Sequence, residues 1–149
     1  MDLWTWALDV YARQDVAEAC LSLQDAHGQN VPYLLWAAWA AGEGRQADAK
    51  AAALLMKRWD AEVGAPLRGV RRALKSARPE IADEAREGLR EAIKGVELQG
   101  ERVLMQGLEA LCGPAGAPVD RLDALKRAAA ASGDPPRASA LERLAKALL

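Results

Sequence analysis

Any nucleophile-and-base chemistry in this chain would have to pass through His27, the only imidazole present. Ser22 stands five residues before it and Cys20 seven. Closeness in sequence is not a hydrogen bond, however, and neither nucleophile sits in the strand-to-helix elbow that exposes and activates a serine. At the end of a helical segment, His27 is better suited to the helix dipole or to a terminal carbonyl. No catalytic residue is assigned.

Metal chemistry has a similar test. Asp83, Glu84, Glu87 and Glu91 share one side of a helical pattern, as a di-iron bundle would require, but such sites also need Glu-x-x-His on two helices, and none exists here. Arg86, Arg90 and Lys94 are interleaved with the acids, which describes a solvated ion-pair face. Cys20 and Cys112 lie far apart with no CxxC, so neither a zinc site nor a disulfide framework can be built from them. Gly42-Glu43-Gly44-Arg45 is superficially like a phosphate loop, yet no strand precedes it and no Gly-Lys-Ser/Thr follows. No metal or cofactor is expected.

Aromatic chemistry is the third possibility. All five tryptophans and both tyrosines fall in the first 59 residues, and phenylalanine is absent. Tryptophans can stack on a base, a tetrapyrrole or a choline-like cation. Trp36 and Trp39 lie in an alanine- and leucine-rich segment, which favours core packing for both. Trp6 points about 200° away from Trp4 at the helical period, so it borders an exposed groove or its helix is buried on two sides. Trp6, Trp36 and Trp39 are therefore the candidates for a tryptophan-lined ligand pocket.

Charge supplies the fourth signal. The whole chain nets −1, with no overall pull toward a phosphate backbone or an anionic membrane. By segment the picture changes: residues 1–44 carry one base and six acids, 45–78 nine and three, 79–112 four and eight, and 113–149 six and four. Within the basic segment, Arg68, Arg71, Arg72, Lys75 and Arg78 form a stripe opposite Leu67, Val70 and Leu74, a basic amphipathic helix. Such a stripe can neutralise a neighbouring acidic helix, dock an acidic patch of another protein, or bind phosphates. As a helix-turn-helix it is handicapped, because the Asp60–Ala65 connection is long and carries Asp60 and Glu62.

The elements that must position these residues read as helices throughout. At 149 residues, 51% hydrophobic and 28% charged, the chain has the composition of one globular domain. No stretch alternates apolar and polar residues with the period of two that a half-buried strand needs. Asp2 caps a first helix over residues 3–13, with Leu3, Trp4, Ala7, Leu8 and Tyr11 at three-to-four-residue spacing, and Asp15-Val16-Ala17-Glu18 has the spacing of a capping box opening a second that Gly28 ends. Asn30 caps a third, from Val31 to Ala41, with Pro32 in its first turn. A fourth runs over residues 46–60 until Gly64 breaks it, and Pro66 starts the basic fifth over residues 67–77.

The longest pattern covers residues 80–111, with Ile81, Ala85, Leu89, Ala92, Val96, Val103, Leu108 and Leu111 on one face; Gly95, Gly100 and Gly107 interrupt it, so that a bend or break near Gly100, or close packing of a neighbouring helix, is expected. Gly113 to Pro118 reads as a linker. Two helices follow, over residues 119–131 and after an Asp134 cap. The expected fold is all-α, a compact bundle of six to eight helices, with a core domain at 1–112 and a C-terminal helical hairpin at 119–149 packed on it. The packing centre is expected in the aromatic N-terminal half, with a looser C-terminal part. The N-terminus lacks the basic region and long apolar core of a signal peptide, and the run Val31 to Ala41 is about half of a membrane span, which favours a reduced cytoplasmic protein.

The pattern Leu3-Trp4-x-Trp6-Ala7-Leu8-x-x-Tyr11-Ala12-Arg13, then Val16-Ala17-Glu18-Ala19-Cys20-Leu21-x-Leu23-Gln24-Asp25 and Asn30-Val31 with Leu34-Leu35-Trp36-x-x-Trp39, resembles a proteobacterial family of small helical proteins of unknown function, domain of unknown function 2390. It covers the first third of the chain. The resemblance implies a single-domain cytoplasmic helical fold and bacterial origin, and it carries no catalytic residue. The functional expectation is a non-enzymatic interaction or regulatory protein that docks an acidic patch of a protein partner through Arg68, Arg71, Arg72, Lys75 and Arg78. The alternatives are a small-ligand binder or enzyme with a tryptophan-lined pocket, and a nucleic-acid binder using residues 66–78.

Overall fold

The computed structural model describes all 149 residues and is all-helical. In order it contains α1 (Leu3–Tyr11), α2 (Gln14–His27), α3 (Val31–Gly42), α4 (Ala49–Trp59), a π-helical turn (Asp60–Gly64), α5 (Ala65–Ala73), α6 (Asp83–Ala110), α7 (Arg121–Ser132) and α8 (Ala138–Ala147). No helix is long and apolar enough to cross a membrane.

The core is built around α3. Its residues are apolar on every side, which requires a buried helix, and Val31 through Ala41 are all buried. It packs against α1, α2, α4, α6 and α7, while α8 closes the assembly against α2 and α7. The Asn30 side chain accepts from the Tyr33 N–H at 3.0 Å to start it. Its aromatic polar groups all find partners: Tyr33 Oη donates to the Ala128 carbonyl at 2.7 Å, Trp36 Nε1 to Cys112 Sγ at 3.1 Å, and Trp39 Nε1 to the Met1 carbonyl at 3.2 Å.

Leu125, Ala128, Ala129, Leu141, Leu144 and Leu148 join the same hydrophobic cluster as the N-terminal aromatics, so the core is shared by both ends of the chain. The 113–118 segment is likewise tied down. Gly113, Gly116 and Val119 donate to the Gln46, Glu43 and Ala41 carbonyls, each at 2.9 Å. Gly44, at φ +61°, faces it so closely that a Cβ there would lie 2.2 Å from the Ala117 carbonyl oxygen.

Gly64 does not break the fourth helix. Helical backbone continues from Ala49 to Ala73, and the widened turn at Asp60–Gly64 takes the place of the expected loop. The cause is Pro66, whose ring would collide with the carbonyl four residues back and which has no N–H to donate. The Ala65 N–H reaches back five residues to Asp60, giving a wider turn before the proline.

Nor does Gly100 break α6. Its carbonyl accepts from Trp59 Nε1 at 3.1 Å, which fixes the middle of α6 against the end of α4. The close helix packing expected of the glycines occurs at Gly107, where a Cβ would lie 3.1 Å from Leu55 Cδ2.

Other boundaries and faces differ too. Asp15 is not the N-cap of α2, a place Arg13 takes, but sits in the first turn, where its Oδ1 accepts from the Val16 N–H at 2.8 Å. Asp134 does not cap α8, which starts later with Arg137 at its N-cap, and its carbonyl instead accepts from the buried Gln29 side chain at 2.7 Å. In α1 the buried side chains are Leu3, Ala7 and Val10, whereas Leu8 and Tyr11 are exposed. In α6, Leu89, Val96 and Val103 stand in solvent, while the buried residues are Arg86, Leu104, Met105 and Leu108.

Candidate functional site: the charged arm and its cleft

Alpha helix 5 packs only on the π turn and α6, so α5 and the first part of α6 form a two-helix arm. Between residues 65 and 100 a single residue is buried, and it is an arginine. Arg86 Nη1 donates to the Leu74 carbonyl at 2.7 Å and the Lys75 carbonyl at 3.1 Å, and also to Glu87 Oε1 at 2.7 Å. A cation thus satisfies carbonyls left open at the end of α5 and clasps the arm at its tip.

The basic stripe is not one helix: α5 ends at Ala73, short of the expected 67–77, so Arg68, Arg71 and Arg72 are helical while Lys75 lies in the following turn and Arg78 beyond it. It divides into two sets by contact. Arg68 makes a fork with Asp60, at 2.9 Å to Oδ1 and 3.1 Å to Oδ2, across the π turn. Gly64 leaves room for this pair, since a Cβ there would lie 2.7 Å from Asp60 Oδ1. Arg71 Nε donates to Glu97 Oε2 on α6 at 2.7 Å. These two arginines act as internal ties. Arg72, Lys75 and Arg78 are exposed; Arg78 reaches only the Ala73 carbonyl, at 3.3 Å.

Where the arm meets the α2–α3 junction there is a cleft of about 640 Å³. Its walls include Gln29 and Asn30 from the body, Asp60 from the π turn, Arg68, Arg71 and Arg72 from α5, and Lys94, Glu97 and Glu101 from α6. Crowding by protein atoms, and secondarily the Glu97 charge, raises the Glu101 carboxyl above its usual range, although much of that side chain still reaches solvent. The composition of this cleft was not legible in the sequence. Its only signal was Asp60, an acid in the connection eight residues before Arg68 of the basic stripe.

The tryptophan candidates stand elsewhere. Trp36 and Trp39 are each 1% exposed and lie in the core, Trp36 stacked on Tyr33 with ring centroids 5.7 Å apart. Trp6 is partly buried and packs on that core. None of the three lines the cleft, where Trp59 is the tryptophan present. A pocket lined by Trp36 and Trp39 is thus corrected to core packing: an all-round apolar helix draws both rings inward.

The remaining sequence candidates are also structural in their contacts. His27 is at the end of α2, and its carbonyl accepts from Gln29 Nε2 at 3.1 Å. Cys20 is fully buried, and burial pushes its thiol up to about 12, far from a reactive thiolate. Of the acidic side chains on α6, Asp83 and Glu87 hold Arg86, and Glu91 holds Lys94. Arg45 rests 5.0 Å from the Trp39 ring centroid and donates to the Gly113 carbonyl at 3.1 Å, so the Gly42–Arg45 turn anchors the following segments together.

Fold and cleft together define a helical protein with an aromatic core and a charged two-helix arm. The chain matches the model of a family described as "Protein of unknown function (DUF2390)" over residues 2–108, and it belongs to that family. The match runs from α1 to the last turn of α6 and includes the whole arm, well beyond the first third marked by the N-terminal resemblance. No curated protein and no solved structure matches the chain.

Proposed function

We propose that this chain is a non-enzymatic bacterial cytoplasmic protein that docks an acidic surface of a protein partner through its arm. Arg72, Lys75 and Arg78 make the contact, while Arg68 and Arg71 hold the arm in shape. The observation that carries this reading is the division of the stripe: two arginines are engaged by Asp60 and Glu97, and three cations, Arg72 on α5 and Lys75 and Arg78 in the segment after it, project into solvent. Exposed cations steer an acidic partner and set its orientation with little loss of stability when free.

A tagged chain incubated with nuclease-treated and untreated bacterial lysate tests it. Recovery of a protein that survives nuclease and is lost in the Arg72→Glu/Lys75→Glu/Arg78→Glu variant supports the reading. Recovery that disappears with nuclease replaces it with nucleic-acid binding. The cleft favours a second reading, a polar small ligand held between arm and body by Arg71, Arg72, Glu97 and Glu101. That reading predicts quenching of tryptophan emission by a metabolite fraction, unchanged in a Lys75→Glu/Arg78→Glu variant, whose positions lie outside the cleft, and weakened by Arg72→Glu.

A further inference from the structure

The α6 side of the arm leaves a strip of apolar side chains without a partner. Leu89, Val96 and Val103 are 52%, 44% and 48% exposed, and Ala85 and Ala92 on the same side are exposed as well. At 100° per residue all five fall within a band about 60° wide, and at 1.5 Å per residue it runs for about 27 Å. A continuous apolar strip of this kind on a helix is an interaction surface. Beside it lie Gly88 and Gly95, where an added Cβ would meet nothing within 4 Å. Helical glycine is unfavourable, and here no neighbour within the chain accounts for it; the backbone is open to close approach from outside.

The charges along the border of the strip identify the occupant. Glu84 and Arg102 are both exposed, and no opposite charge within the chain pairs with either; Arg102 rests 5.8 Å from the Trp4 ring centroid. Eighteen residues make five turns of helix, so Glu84 stands in line with Arg102, and Ala85 with Val103. The face is therefore its own complement when reversed. A second copy laid antiparallel, about a two-fold axis near residue 94, brings Ala85 opposite Val103 and Ala92 opposite Val96, and sets each Glu84 on the same flank as the other copy's Arg102, about 3 Å apart along the axis and within reach of these long side chains. A parallel two-fold copy would place the two Glu84 side chains on opposite flanks of the pair, far along the axis from either Arg102, and leave all four charges unpaired.

We propose that two copies of this chain associate through α6, antiparallel and two-fold, with the Leu89–Val96–Val103 strip at the centre. The interface is isologous. A single helix pair covers less surface than a standard stable interface, so the dimer forms and dissociates with concentration. The side chains involved are not those of the basic docking surface, and either reading can fail alone.

Sedimentation velocity of the full chain over a hundredfold concentration range tests it. The expected result is a shift from monomer to dimer as concentration rises. Leu89→Glu and Val96→Glu, at positions already in solvent, should each return the chain to monomer at every concentration with unchanged helix content by circular dichroism. Glu84→Arg and Arg102→Glu should each weaken association, and the double swap should restore it. A chain that stays monomeric throughout, a dimer that survives Val96→Glu, or a double swap that fails to restore association would each overturn the proposal.

Discussion

Arg71 on α5 donates its Nε proton to Glu97 on α6 at 2.7 Å, and this one bond decides which way the basic helix faces. Both side chains are mostly covered, at 26% and 17% exposure, so the pair is a tie between the arm's helices and not a solvated surface contact. With Arg68 held by Asp60 on the same helix, the inward half of the stripe is committed to the fold. The outward half, Arg72, Lys75 and Arg78, is left to interact with something else.

Breaking the tie should loosen the arm. Arg71→Glu sets two carboxylates against each other in a partly covered site and is expected to cost about 1–3 kcal/mol, the range for charged hydrogen bonds. The reciprocal swap, Arg71→Glu with Glu97→Arg, should recover most of it. Hydrogen exchange across residues 65–100 is the measurement: protection falls in the single variant and returns in the swap, with the core helices α3 and α7 unchanged.

Two glycines should respond to alanine in opposite directions. At Gly44 the backbone is left-handed and a Cβ would lie 2.2 Å from the Ala117 carbonyl oxygen, so Gly44→Ala is expected to destabilise by more than about 1 kcal/mol. Gly88 is helical with empty space around it, and Gly88→Ala should stabilise the monomer by up to about 1 kcal/mol. Denaturant midpoints of the two variants, measured at low protein concentration, check both signs.

Alkaline pH should weaken the core. Burial pushes the Cys20 thiol from its ordinary value near 9.0 up to about 12, and the Tyr33 hydroxyl from 10.0 up to about 12. Both groups keep their protons in the folded chain over a range where the unfolded chain gives them up. The unfolded state binds fewer protons there, so stability falls as pH rises from about 9 toward about 12. Thermal melts at pH about 8 and about 10.5 should show a lower midpoint at the higher pH. Cys20→Ala should flatten that decline. Neither cysteine should react quickly with a thiol reagent until the chain unfolds, since burial raises Cys112 as well.

The parts of this fold that could be read from sequence are those set by local chemistry. Helix α3 carries its own start in Asn30, its tolerated proline at position 32 and a stop at Gly42, and its all-round apolar surface has only one place to go. The π turn could not be read that way. Gly64 and Pro66 mark a boundary by local rules, and the helical run across them is held by side-chain bonds: Trp59 to the Gly100 carbonyl on α6, and Arg68 to Asp60 across the turn itself.

The face of α6 was misjudged for a related reason. Leu89, Val96 and Val103 have core periodicity, but α5 is the only helix beside the outer part of α6 and it meets a different side. Arg86 is buried because its partners are backbone carbonyls of Leu74 and Lys75, which no side-chain pattern announces. The basic stripe was visible as composition. Its division was not, because Glu97, the acceptor for Arg71, lies 26 residues further along the chain.

The most direct test compares two charge reversals side by side, Arg72→Glu/Lys75→Glu/Arg78→Glu and Arg68→Glu/Arg71→Glu, for partner capture after nuclease treatment and for thermal midpoint. The first is expected to abolish capture with its midpoint unchanged, and the second to lower the midpoint through loss of the Asp60 and Glu97 ties. Capture undiminished in the first variant would contradict docking through the arm.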